Sequence, residues 1–206
     1  INTLSTARET GVLFTDCQPR GIVAQNPGDA LPEGMFTDDV VLRLSYGDEI
    51  SAGWRSYEQA LSEARGNEIE PRSQPGDAAM IIYSSGTTGA PKGIVLGHRQ
   101  LVANARMTID ALGYNANDRF LTVLPSFHLF GYSYDFLYCG LVAGRMTVLP
   151  SFGADAALDL IGQHRITVLA GVPLMFVQMF QPGRLAGRDV SSLRLIDVGG
   201  GPVPVS

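Results

Sequence analysis

The run YSSGTTGAPKG, from Tyr83 to Gly93, collects the groups needed to hold an anion. Its glycines at 86, 89 and 93 let the backbone adopt positive φ and approach a ligand closely. Ser84, Ser85, Thr87 and Thr88 bring hydroxyl donors, and successive backbone N–H groups can form an anion-holding concavity. Lys92 adds a positive charge and is the only lysine of the chain; the fourteen other basic residues are arginines. These features describe a phosphate cradle. It is not the nucleotide-binding G-x-x-x-x-G-K-[ST] loop, because Pro91 stands where the second glycine belongs and Gly93 follows the lysine in place of Ser or Thr. A plain polar connection between a strand and a helix is the bland alternative, and the run of Gly, Ser and Thr is denser than such a connection needs.

The rest of the chain gives this cradle no general electrostatic help. The formal net charge is −5, so no basic footprint for nucleic acid or an anionic membrane exists, and anion binding must be local. With 206 residues, 45% of them hydrophobic and 17% charged, the composition is that of a globular protein with one large domain or two small ones. Cys17 and Cys139 make no disulfide framework, and no Cys/His cluster has zinc-like spacing; two free thiols point to a reducing cytoplasm. The opening INTLSTARETG has no signal-peptide pattern. The apolar stretches at 136–149 and 166–180 are broken by Gly, Pro or Arg and too short to span a bilayer.

The elements that must position the cradle follow from periodicity. Residues 4–15 read as an amphipathic helix, 21–24 and 40–44 as strands, 26–39 as a loop and 56–64 as a helix. After a polar connection at 65–77 the rhythm changes. AAMIIY is a strand, the cradle follows, and 98–112 is a helix. Strands RFLTVLP, RMTVLP, ITVLAGVP and LRLIDVGG then alternate with helices LFGYSYDFLYCGLVAG, ADAALDLIGQH and PLMFVQMF. That alternation predicts an α/β fold of mostly parallel sheets flanked by helices, with ligands beyond the carboxyl ends of the strands. The boundary is expected at NAND (115–118), giving subdomains 1–116 and 117–206.

YSSGTTGAPKG resembles the signature of the adenylate-forming superfamily, which includes acyl- and aryl-CoA synthetases, luciferases and peptide-synthetase adenylation domains. Further segments keep that family's order: GIVLGHRQL, with Gly97 in place of the usual Thr or Ser, PSFHLFG at 125–131, GLVAGRMTVLPSF, LAGVP at 169–173 and DVGGGPVP at 197–204. The likeness is loose before residue 78 and tight after it. It implies part of the large N-terminal domain of the adenylate-forming fold. It also implies a reaction in which a carboxylate attacks the α-phosphate of ATP, and the thiol of CoA then displaces AMP from the acyl-adenylate.

The resemblance assigns Ser84, Ser85, Gly86, Thr87, Thr88, Gly89 and Lys92 to the β,γ-phosphates, with Mg²⁺ close by and no residue assigned to the metal. Gly199, Gly200 and Gly201 fall on the adenine-side turn. His128 falls on the histidine of a P-x-F-H motif, where positioning or gating is expected rather than proton transfer. Phe130, Tyr134, Val172 and Pro173 are expected to line an acyl pocket, and the three glycines suggest a roomy one for a fatty or larger aryl acid, as in a fatty-acid–CoA ligase. PSFH stands where amino-acid-activating relatives carry an aspartate, which disfavours an amino-acid substrate. His98 reads as a helix-start residue and His164 as a surface one.

The partners implied are a small carboxylic acid, ATP and CoA. A second catalytic lysine belongs to the family's C-terminal domain, and Lys92 is already assigned; with the G-Y-G-x-T-E segment also missing, the expectation is an incomplete nucleotide- and acyl-binding piece of an acyl-CoA synthetase, inactive alone. Loading of a carrier protein instead of CoA is one alternative, and a non-catalytic nucleotide- or acyl-binding fragment is another. Unpaired sheet edges suggest association.

Overall fold

The computed structural model describes residues 1–2, 5–27, 31, 34, 36, 39–64, 66, 69–84 and 91–203. They form two compact units, Ile1–Gln74 with Met80–Val95 and Pro75–Ala79 with Leu96–Ser206.

In the first unit, α1 (Ala7–Cys17) opens on a reciprocal cap. The Thr6 hydroxyl accepts from the Glu9 N–H at 3.3 Å, and the Glu9 carboxylate accepts from the Thr6 N–H at 2.8 Å. The helix turns Leu13 and Phe14 inward. Strands β1 (Gly21–Gln25), β2 (Leu42–Tyr46) and β3 (Arg55–Ser56) make a parallel sheet in that order, with Gly21 opposite Leu42 and Leu44 opposite Arg55. Phe14, Ile22 and Val40 form a small core, and Phe36 and Trp54 meet edge to face against it at 5.8 Å. The following α2 (Tyr57–Glu63) is capped by Ser56 and buries nothing.

Strands β4 (Ala78–Ser84) and β5 (Lys92–Gly97) form a separate two-stranded sheet. Sequence reading led from β4 through the loop directly to a helix. The structure inserts β5 between them, and the apolar, partly β-branched run Ile94–Leu96 is the signal for it.

The second unit begins its helices with α3 (His98–Leu112). It carries a four-stranded parallel sheet in the order β7 (Arg145–Val148), β6 (Arg119–Thr122), β8 (Val168–Gly171), β9 (Leu195–Val198). Successive side chains of a strand point to opposite faces, and the central strands use both. Leu121, Val123 and Leu169 join a core with α6 (Ala154–His164) and α7 (Pro173–Met179). Phe120, Leu124, Val168 and Ala170 join a second core with Ala105 of α3 and Tyr134, Tyr138 and Cys139. The helix expected over 129–144 is instead α4 (Leu129–Tyr132), a π-helical turn (Ser133–Tyr138) and α5 (Cys139–Leu141), ending at 141.

The division between units differs from the boundary expected at 115–118. Leu101 and Ala105 of α3 are buried, and Ala105 belongs to the second core, so α3 goes with the residues after it. The NAND segment is no linker either. Asp118, only 2% exposed, accepts from the Asn115 N–H (2.8 Å), the Thr167 hydroxyl (2.7 Å) and Arg194 Nε (2.7 Å), and pairs with Arg194 Nη2 as well. Burial alone would raise its pKa. The Arg194 guanidinium, the Asn115 N–H and the Thr167 hydroxyl outweigh that and hold the carboxyl below its usual value.

A lowered folded pKa gives stability that is present above the unfolded value and lost as pH falls through the folded one. Asp118→Ala strands Arg194 and is expected to cost about 3 kcal/mol in urea unfolding at pH 7. The difference from wild type is expected to shrink as the pH falls below the ordinary aspartate range.

Candidate functional site

In the first unit the described part of the cradle is its base. Ser84 ends β4, Lys92 opens β5, and both are exposed. Ser85, Gly86, Thr87, Thr88 and Gly89 lie outside the described residues. The two flanking strands are held close to α1. The Tyr83 hydroxyl donates to Asp16 Oδ2 at 2.7 Å and lies 3.4 Å from the Leu13 carbonyl. Burial, then the Asp16 bond, pushes the Tyr83 phenol well up, so it stays a donor at any ordinary pH. A Cβ on Gly93 would lie 3.1 Å from Asp16 Oδ2 and 3.2 Å from the Tyr83 ring, so this glycine serves close packing at the base.

In the second unit the predicted residues are brought together at the carboxyl ends of β6, β8 and β9. The chain leaves β6 through Pro125–His128 and enters α4 with His128 as its cap. His128 Nδ1 accepts from the Phe130 N–H at 3.2 Å, so the neutral ring carries its proton on Nε2. His128 itself is exposed. Val172 caps α7, and Pro173 occupies its first turn, where a missing N–H costs nothing. Beyond β9, the Gly199 N–H donates to the Gly171 carbonyl at 3.1 Å and ties the glycine turn to the end of β8.

Each glycine of that turn is covered by one predicted pocket residue. A Cβ on Gly199 would sit 3.2 Å from the Phe130 ring, one on Gly200 3.3 Å from Val172 Cγ1, and one on Gly201 3.5 Å from Pro173 Cδ. Gly200 also has φ +76°, which favours glycine. A side chain at any of the three glycines would meet one of these protein side chains, so the glycines serve close packing at this turn. Tyr134 does not join the group. It is 1% exposed, with its ring 5.2 Å from Phe120 and 6.4 Å from Tyr114, and is a core residue. His98 starts α3, its N–H donating to the Asp77 carbonyl, and His164 ends α6 on the surface. Among the described residues no three His, Cys, Asp or Glu side chains form a metal-holding group, and no helix is long and apolar enough to cross a membrane.

Sequence reading passed over Asp135, although a carboxylate inside the apolar run YDFLYCGL is itself a signal. Asp135 lies in the π-helical turn, is 1% exposed and has no ion-pair partner among the described residues. Its Oδ2 faces the Ser126 hydroxyl at 3.5 Å, and Oδ1 has no hydrogen-bond partner. Burial pushes its carboxyl up to about 6, against a smaller opposing pull from the Thr122 and Ser126 hydroxyls. Between the unfolded value of 3.8 and about 6 the folded chain binds more protons, so this group's contribution to stability falls as pH rises through that window. Asp135→Asn is expected to be neutral near pH 4 and stabilising above pH 6, by on the order of 3 kcal/mol at most. Urea unfolding of both proteins at the two pH values measures it.

The geometry has counterparts in known proteins. The family model for AMP-binding enzymes matches residues 1–206. Indoleacetate–CoA ligase of Aromatoleum aromaticum is 38% identical over 93% of this chain and 38% of its own length. 4-Coumarate–CoA ligase 1 of Oryza sativa subsp. japonica is 34% identical over 72% of this chain and 27% of that ligase. The crystal structure of ATP-bound MatB from Rhodopseudomonas palustris superposes on 98% of the chain with a TM-score of 0.85 and 28% identity, using 39% of MatB. The anthranilate CoA ligase AuaEII in complex with anthranoyl-AMP covers 99% of the chain with a TM-score of 0.87 and 25% identity, over 40% of that enzyme. This chain thus spans about two fifths or less of each of these four proteins. With the family model matched over its whole length and the mixed α/β fold of those enzymes, the chain belongs to the AMP-binding enzyme family.

Proposed function

We propose that this chain carries the phosphate- and acyl-binding region of an ATP-dependent acyl-CoA synthetase. The observation that carries the reading is the convergence of Phe130, Val172 and Pro173 on Gly199–Gly201 at the carboxyl ends of parallel strands, where such sheets bind ligands. In the proposed reaction a carboxylate oxygen attacks the α-phosphorus of ATP and pyrophosphate leaves. The sulfur of CoA then attacks the acyl carbon, and AMP leaves.

Ser84 to Gly89 and Lys92 hold the phosphates, the lysine offsetting charge that grows on the departing pyrophosphate. Mg²⁺ enters as the ion that accompanies ATP, screening the phosphates. His128, with its tautomer set by Phe130, orients the reacting carboxylate from Nε2–H. Phe130 laid on Gly199 gives an aromatic wall with little spare room. Together with the indoleacetate and 4-coumarate named for relatives, this favours an aryl or arylalkanoic acid over a long fatty acid. The free thiols of Cys17 and Cys139 suit a reducing, cytoplasmic setting.

The test is carboxylate-dependent ATP–pyrophosphate exchange by the protein expressed from the complete reading frame, across aryl, fatty and amino acids. Exchange with aryl acids is expected; none with any acid would overturn the proposal. Lys92→Ala and Thr87→Ala are each expected to lower kcat/KM for ATP by about tenfold or more. Phe130→Ala is expected to shift preference toward bulkier acids by about tenfold.

A further inference from the structure

The Pro125–His128 turn is held from beneath by a group that the fold does not otherwise need. A methyl group on Gly131 would collide with the Pro125 carbonyl, so the turn rests directly on α4. The His128 N–H closes the turn onto the Pro125 carbonyl at 3.0 Å. One side chain of the turn reaches further, Ser126, whose hydroxyl faces Asp135 Oδ2 nine residues on. Asp135 gains no cation for its burial, and a lone buried carboxylate is unfavourable unless something else selects it. It lies in a six-residue π-helical turn in which Ser133, Tyr134 and Asp135 are all buried, and such turns recur at functional sites.

We propose that Asp135 is a positioning residue that holds the Pro125–His128 turn, and with it the His128 imidazole, through Ser126. This rests on the reading of His128 given above. The ionised carboxylate accepts from the Ser126 hydroxyl. Protonation removes charge from that acceptor and weakens the tie. With the carboxyl pushed up to about 6 by burial, the change falls just below neutral pH.

Among the described residues no cation pairs with Asp135; the other carboxylate at this core is Asp197 of β9, which acts on Tyr134 as Asp135 does and is itself pushed up by burial. Strand β6 contributes the Thr122 hydroxyl and the turn contributes Ser126, and both pull the Asp135 carboxyl down against the effect of burial. Tyr134 and Cys139, on either side in the same helical run, are buried; burial pushes both up, and the Asp135 charge adds to that. Tyr132 of α4 meets Phe136 with its ring tilted, centroids 5.7 Å apart. Helix α3 buries Leu101 and Ala105, while its Arg99, Arg106 and Asp110 are exposed.

The experiment has two readouts on the complete protein. The first follows the ring resonances of the three histidines by NMR from pH 4.5 to 8.5. The wild-type His128 resonance is expected to show a second inflection, near pH 6 and reporting Asp135, that disappears in Asp135→Asn and Ser126→Ala. His98 and His164 are expected not to change, and Ser126→Thr is expected to restore the second inflection. The second readout is pyrophosphate exchange. The wild-type KM for the acid is expected to rise at least fivefold between pH 7.5 and 5.5, whereas each variant has a raised, flat KM and the double variant is no worse than either. A His128 titration unaltered in both variants, or additive losses in the double variant, would overturn the proposal. An inactive wild type with an Asp135-dependent His128 titration would overturn the ligase reading and uphold the tie.

Discussion

One carboxylate sets the level from which the second unit is built. Asp118 directly precedes β6, Thr167 directly precedes β8 and Arg194 directly precedes β9, and all three meet at the Asp118 side chain. The fourth strand is tied to the same residue, the Arg145 N–H at the start of β7 donating to the Asp118 carbonyl at 2.9 Å. Each of the four strands is four residues long, so a common start gives nearly level carboxyl ends about 13 Å away. The histidine turn, the Val172–Pro173 corner and the glycine turn all leave from those ends. A slip of one residue in any strand would turn its core side chains to the wrong face and move its functional turn by a few ångströms. The ion network at one end of the sheet is therefore a condition for the site at the other.

The two faces of that sheet explain how little backbone freedom the site has. Leu121 and Leu169 lock one face under α6 and α7, and Phe120, Val168 and Ala170 lock the other under the helices before β7. Strands buried on both sides have one register, and their turns inherit it. The first unit is different in kind. Its core is small, α2 buries nothing, and the base of the phosphate run is held by one tyrosine–aspartate bond.

Much of this was legible in the residues. The βα alternation after residue 78 marks the parallel sheet, and the ends of α3 and α6 fall where periodicity puts them, because each has a single apolar stripe and a left-handed residue at its end. That Phe130, Val172 and Pro173 share one neighbourhood with the glycine turn is legible through motif order. What was hidden depends on partners distant in sequence. Asp118 looks like a turn residue in NAND until Arg194 is brought beside it from 76 positions away. Tyr134 shares a helical spacing with Phe130, yet the widening of the helix into a π turn sends it into the core. The three glycines read as open space because the side chains that fill it come from two other elements.

That last arrangement separates what is constant in the wall from what can vary. The glycine turn contributes only main chain to the contact, so its shape does not depend on side-chain identity. The relief of the surface is drawn by Phe130 on one helix and by Val172 and Pro173 at the head of another. Exchanging one of those side chains alters the outline without moving the path of the chain, so on the proposed function a change of acid would need a change of side chain and not of backbone.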